Sequence, residues 1–87
     1  MDRSSAMKVR ELVAVTWADA TSSDPWEERS EIINHCNTIL TVGILIDEDE
    51  AIITIGLNHD LDSDSYSCYI CIPKTCIIKQ KSFSLKF

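Results

Sequence analysis

Glycine, proline and basic residues are scarce in this chain of 87 residues, and long apolar runs are missing. With two glycines and two histidines, the sequence contains no glycine-rich phosphate loop, no nucleophile elbow and no metalloprotease motif. No apolar run approaches the roughly 20 residues that a membrane-spanning helix needs. The first residues are not followed by the apolar core of a secretory signal. We therefore expect a cytoplasmic protein with reduced thiols and no membrane partner.

What is present is the composition of a small globular domain, with 45% hydrophobic and 25% charged residues. A chain this short buries only about 60–65% of its unfolded surface, so its core is marginal and a partner subunit would help it. We expect one domain over 1–87, ordered from 8 to 81, with loose ends at 1–7 and 82–87. Since such a chain cannot surround a substrate deeply, we expect no enzyme activity and no cofactor.

The charge is unevenly distributed along the chain, which carries 14 acidic and 8 basic residues for a net charge of -6. Residues 74–87 contain four lysines and no acid, whereas residues 11–73 contain thirteen acids and a single arginine. This balance disfavours wholesale coating of nucleic acid, but it allows a local basic surface on an acidic protein. The alternative is that the terminal lysines only keep the protein soluble.

Alternating apolar and polar residues predict five short strands separated by turn-forming residues. They are Met7–Ala20, Cys36–Ile46, Ala51–Asn58, Ser65–Ile72 and Cys76–Lys81. Gly43 and Gly56 fall inside two of these strands, where glycine often marks the bends that close a small barrel. The pattern therefore predicts a mainly β fold: a small, strongly bent, five-stranded antiparallel sheet or open barrel with one short helix.

The short helix is predicted to start at Asp24, which can cap it, with Pro25 in its first turn. It is expected to end near Asn34 after about ten residues, too few to be stable alone. Its apolar side chains should therefore dock on the sheet. They are Trp26, Ile32 and Ile33.

Two motifs resemble metal sites but favour simpler explanations. Cys68 and Cys71 form a C-x-x-C, yet it lies inside a predicted strand and lacks a second ligand pair, so buried structural cysteines are expected. The run from Asp60 to Asp64 begins like a calcium loop, but Ser65 and Cys71 stand where such a loop needs glycine and glutamate. We expect a solvated hairpin turn there and no metal ligands.

Two surfaces are candidates for binding a macromolecule. Cations next to an outward aromatic side chain are how small barrels hold single-stranded nucleic acid. The candidates for that role are Lys74, Lys79, Lys81, Tyr69 and Arg10. Alternatively, acidic loops could engage a basic protein surface. These candidates are Asp47, Glu48, Asp49, Glu50, Asp60, Asp62 and Asp64.

Three segments resemble the Sm and LSm-like small β-barrels, and specifically short acidic proteins of the marine cyanophage type. They are Val15–Ala20, Thr41–Glu48 and Ile72–Lys74. Gly43-Ile44-Leu45 stands where the first Sm motif carries Gly-x-Leu. Ile72-Pro73-Lys74 stands where the second motif carries a hydrophobic residue followed by Arg-Gly.

The resemblance implies a homo-oligomeric ring of about five to seven subunits joined by edge strands. It also implies binding of RNA or single-stranded DNA and a role in nucleic-acid processing. Two other functions stay open from the residues: an acidic protein that binds a basic host protein, and a structural or assembly protein without a ligand.

Overall fold

A computed structural model describes residues 9–20 and 26–86, and it contains five strands. The strands are β1 (Val9–Asp19), β2 (Asn37–Glu48), β3 (Ile52–Asp60), β4 (Ser65–Pro73) and β5 (Ile77–Lys86). Two single 3-10 turns accompany them, at Arg29–Glu31 and Lys74–Cys76. The mainly β prediction is confirmed, and a hairpin joins β2 to β3.

All five strands form one antiparallel sheet in the order β4-β3-β2-β1-β5. The two edge strands, β4 and β5, are joined by only the three residues of the turn Lys74–Cys76. In a flat sheet these edges would lie about 19 Å apart, four strand spacings. A 3-10 turn of this length advances only about 6 Å. The sheet must therefore curl strongly, as the sequence predicts for an open barrel.

The core lies on the concave side of this curl and is small. Its five fully buried side chains come from β1, β3 and β4. They are Val13, Val15, Ile53, Ile55 and Ile72. Trp17 is partly buried, packs against this cluster and donates a hydrogen bond from Nε1 to Thr41 Oγ1 at 2.9 Å. The limited core is what the chain length predicts.

Both strand glycines lie where another part of the chain approaches closely. A Cβ at Gly43 would lie 2.5 Å from the carbonyl oxygen of Gly56 and 2.7 Å from Ile55 Cγ2. A Cβ at Gly56 would lie 2.7 Å from Ile46 Cδ1. The pairing of β2 with β3 also shifts register between Leu45 and Asp47. Glycine and a bulge together allow β2 to bend over β3, as expected for a curled sheet.

The predicted helix is wrong. Within the described residues its segment contains only the 3-10 turn Arg29–Glu31, and the rest of 26–36 has no regular structure. Asp24 and Pro25, the proposed helix start, lie outside the described residues. Trp26, Ile32 and Ile33 do not dock on the sheet, and all three are exposed. A segment this short gains little from helix formation unless packing stabilises it, and no sheet face covers these side chains.

The loose tail predicted from residue 82 is also wrong, because β5 continues to Lys86. Ser82 pairs with Val13, Phe83 with Leu12, and Lys86 with Val9. The stretch Ser82–Lys86 alternates polar and apolar side chains, as a strand does, and β1 provides the partner for its backbone hydrogen bonds. Residues 1–7 and Phe87 lie outside the described residues. No helix in the described ranges is long and apolar enough to cross a membrane.

Candidate functional site

Four of the five predicted nucleic-acid residues lie on one face of the sheet. Residues directly opposite each other in a ladder share a face, as do residues two apart in a strand. The register Tyr69–Gly56–Ile44–Leu12–Phe83 crosses all five strands and places these residues on one face. Arg10, two residues before Leu12, belongs to that face, as do Lys81 and Lys79. We call it the outer face, because the core side chains lie on the other one.

The basic part of the outer face lies on β5. Lys79 is opposite Thr16 and Lys81 is opposite Ala14, and both lysines are exposed. No ion pair involves either lysine within the described part of the chain. Tyr69 is also exposed, but it lies on β4 at the other edge of the sheet. Within one copy of the chain, Tyr69 and the two lysines therefore lie on different edge strands of the sheet.

The outer face carries an apolar surface that was not singled out from the sequence. Leu40 and Val42 on β2 and Phe83 on β5 are each about half exposed or more. They surround Ala14 and Thr16 on β1. The alternation of β2 indicates that Leu40 and Val42 share a face, but only the register shows that this face points away from the core.

Lys74 lies apart from the other cations, in the turn between β4 and β5. Its Nζ is 2.6 Å from Glu48 Oε2, and the same carboxylate lies 3.5 Å from Gln80 Nε2. The hydrogen bond from the Lys74 ammonium holds the pKa of Glu48 below its ordinary value of 4.5. The pair joins the end of β2 to the turn between β4 and β5. The negative charge of the Glu48 carboxylate also offsets the positive charge that Lys74 offers to a ligand.

We expect the Glu48–Lys74 pair to make stability sensitive to acid. A lowered folded-state pKa means that the pair stabilises the fold above pH 4.5 and that this contribution is lost as pH falls through the lowered value. An exposed ion pair of this kind contributes roughly 0.2–1 kcal/mol. Chemical denaturation of Glu48→Gln should therefore show a smaller stability loss between neutral and acidic pH than the wild type. Glu50→Gln is the matched control in the neighbouring turn, and an equal effect of the two variants would contradict this role.

Most of the candidate acidic residues have structural partners inside their own turns. Asp49 Oδ1 accepts hydrogen bonds from the backbone N–H groups of Ala51 and Ile52, both at 2.8 Å, and these bonds lower the pKa of Asp49. Asp60 accepts one from the backbone of Asp62, which lowers its pKa likewise. Asp47 Oδ1 accepts a hydrogen bond from the backbone N–H of Glu48, and Asp64 Oδ1 is hydrogen-bonded to the His59 ring. These carboxylates therefore shape the two hairpin turns.

His59 is the most enclosed titratable side chain of the β3–β4 hairpin, with only 10% of it exposed. Its ring stacks on Tyr66 with centroids 4.2 Å apart, and Nε2 lies 2.8 Å from Asp64 Oδ1. The ring also lines a small apolar groove of about 170 Å³ together with Leu61 and outer-face residues. Stacking and hydrogen bonding fix the His59 ring within the hairpin, and the groove places the ring next to outer-face residues.

The four cysteines do not form the buried structural set that the sequence predicts. Cys36, Cys68 and Cys71 are exposed, and Cys76 is partly exposed. The core is filled instead by valine and isoleucine. Cys68 has a left-handed backbone with φ of 55°, which interrupts the regular strand that the prediction assumed. No group of three or more metal-ligating side chains occurs within residues 9–20 and 26–86.

Comparison with protein-family models, with curated proteins and with solved structures found no match, so the function is argued from the chain's own geometry.

Proposed function

We propose that this chain self-assembles through the edges of its sheet and that the assembly binds single-stranded nucleic acid on the outer face. The observation that carries the proposal is the pair of open edges. Within the described residues the backbone of β4 pairs only with β3, and that of β5 only with β1. Each edge leaves a row of backbone N–H and C=O groups that a strand of another copy can satisfy. The small core favours such association, because a partner adds buried surface.

Edge pairing would also complete the nucleic-acid surface. Tyr69 lies on one edge strand, and Lys79 and Lys81 lie on the other. A sheet that continues from β4 of one copy to β5 of the next keeps its two faces. Tyr69 would then lie beside the lysines of the neighbouring copy, which gives base stacking next to backbone cations. Association and binding are thus parts of one proposal.

The acidic alternative has weaker support. Several of its carboxylates already accept hydrogen bonds or pair with a cation within the chain, among them Asp47, Glu48, Asp49, Asp60 and Asp64. Their presence is explained by turn geometry and by the closure of the sheet. A basic partner surface is therefore not needed to account for them.

The association part is tested by the mass of the purified protein from light scattering after size exclusion. We expect a single species of several subunits for the wild type. Ile78→Lys places a charge on an exposed apolar position of β5 and should shift the mass toward the monomer. A wild-type monomer over the whole concentration range would refute edge assembly.

The binding part is tested with fluorescent single-stranded DNA and RNA at several salt concentrations. The double variant Lys79→Ala/Lys81→Ala should lower affinity at least about ten-fold at low salt, and the slope of log K against log salt should fall by about 1.4. Lys86→Ala, at the far end of β5, is the control for loss of charge alone. Affinity that is equal in the double variant and the wild type would refute the lysine site.

A further inference from the structure

Segment 26–36 leaves three large apolar side chains in solvent. Trp26 is fully exposed, Ile33 is 81% exposed and Ile32 is 59% exposed. Apart from the single 3-10 turn at Arg29–Glu31, the segment is irregular within the described residues. A soluble monomer rarely exposes so much apolar surface in one short stretch, so these side chains mark a contact. The segment is also acidic, with three glutamates and one arginine.

The outer face has the complementary composition. Two rows of residues cross it from β2 through β1 to β5. One row is Leu40, Thr16 and Lys79, and the other is Val42, Ala14 and Lys81. The small side chains of Ala14 and Thr16 thus lie between exposed apolar residues on β2 and lysines on β5. A tryptophan ring suits this combination, because its face attracts an ammonium group and its edge packs on apolar neighbours.

We propose that residues 26–33 of one copy dock on the outer face of a second copy. Trp26 packs over Ala14 and Thr16, and the glutamates face Lys79 and Lys81. The segment leaves its own outer face uncovered, so the contact is made between copies. In a twofold pair each copy supplies one segment and one face. Each partner then buries one tryptophan, at about 150–250 Å², its two isoleucines and one outer face, which together approach the roughly 800 Å² per partner of a specific interface.

This contact goes beyond edge pairing and uses the same lysines as the proposed nucleic-acid site. Glutamates beside Lys79 and Lys81 occupy the place of phosphates. The docked segment and single-stranded nucleic acid therefore exclude each other. Nucleic acid should release Trp26 into solvent.

The experiment uses two charge-reversed versions of the full chain. The first carries Glu27→Lys and Glu31→Lys, so its segment and its outer face are both basic. The second carries Lys79→Glu and Lys81→Glu, so both of its surfaces are acidic. We expect each version alone to associate through this contact about ten-fold more weakly than the wild type. An equimolar mixture should regain wild-type affinity, because every basic surface then meets an acidic one on the other version.

The readouts are sedimentation velocity and acrylamide quenching of tryptophan emission, with Trp26→Phe separating the Trp17 signal. All four changed side chains are exposed, and thermal unfolding of each version confirms that it folds. A mixture that behaves as the average of its components, or Trp26 quenching that does not depend on protein concentration, overturns the inference. Nucleic-acid affinity is measured in parallel on the first version, which keeps both lysines. Its absence would refute the proposed binding function without affecting the docking result.

Discussion

Replacing Ile53 by alanine is expected to lower the free energy of unfolding by about 3–4 kcal/mol. Ile53 is fully buried on β3, paired with Ile72 on β4 and with Glu48 on β2. The substitution removes buried methyl and methylene groups and leaves a cavity that a curled sheet with short connections cannot fill. Within the described residues only five side chains are fully buried in this core, so one cavity removes a large part of the total stability.

The matched control is the preceding residue, Ile52, which is 42% exposed. Ile52→Ala makes the same chemical change on the same strand but should cost less than about 1 kcal/mol. Urea denaturation followed by circular dichroism measures both variants, and an unchanged denaturant slope allows their midpoints to be compared. Equal losses at the two positions would show that the assigned core face is wrong.

Gly43→Ala is expected to have the second-largest effect, a loss of about 2–3 kcal/mol. The added methyl group would meet the carbonyl oxygen of Gly56 at 2.5 Å and Ile55 Cγ2 at 2.7 Å. A backbone carbonyl cannot rotate away as a side chain can. The bend of β2 over β3 must therefore open, which also disturbs the packing of Ile55 in the core.

Gly56→Ala provides the comparison for this effect. Its added methyl group meets Ile46 Cδ1 at 2.7 Å, the far end of a flexible side chain that can change rotamer. We expect a loss of about 1 kcal/mol or less, which corresponds to a melting temperature about 4–8 °C below the wild type. Thermal unfolding of both variants measures the difference. A larger loss for Gly56→Ala than for Gly43→Ala would contradict the close approach at Gly43.

The strands were predictable because alternation is a local property. Val13, Val15 and Trp17 lie two residues apart, and any strand places such residues on one face. The same rule failed to show which face of β2 is buried, because both of its faces carry apolar residues. The register with β1 puts Thr41 and Gly43 on the core side and leaves Leu40 and Val42 exposed.

The helix and the tail show the opposite case, in which local signals mislead. Capping residues near Asp24 and apolar side chains at Trp26 and Ile33 are typical of a helix, but so short a helix depends on a surface to pack against. Residues 82–86 do alternate polar and apolar side chains, but the pattern contains only two apolar residues, and pairing with the free row of backbone groups on β1 is what extends the strand through them. In both segments the conformation depends on residues that are distant in the sequence, which either do or do not provide a surface or a strand to pair with.

The amino-acid sequence by itself determined the fold class, the five strands, the two glycine bends and the separation of acidic and basic segments, since each depends on residues close together in the chain. The tertiary structure alone decided the strand order, the burial of one face and the exposure of the other. It also decided that Lys79, Lys81, Arg10 and Tyr69 share a face and that Lys74 pairs with Glu48. These features depend on long-range pairing, in which the register of one strand against another sets the direction of every side chain.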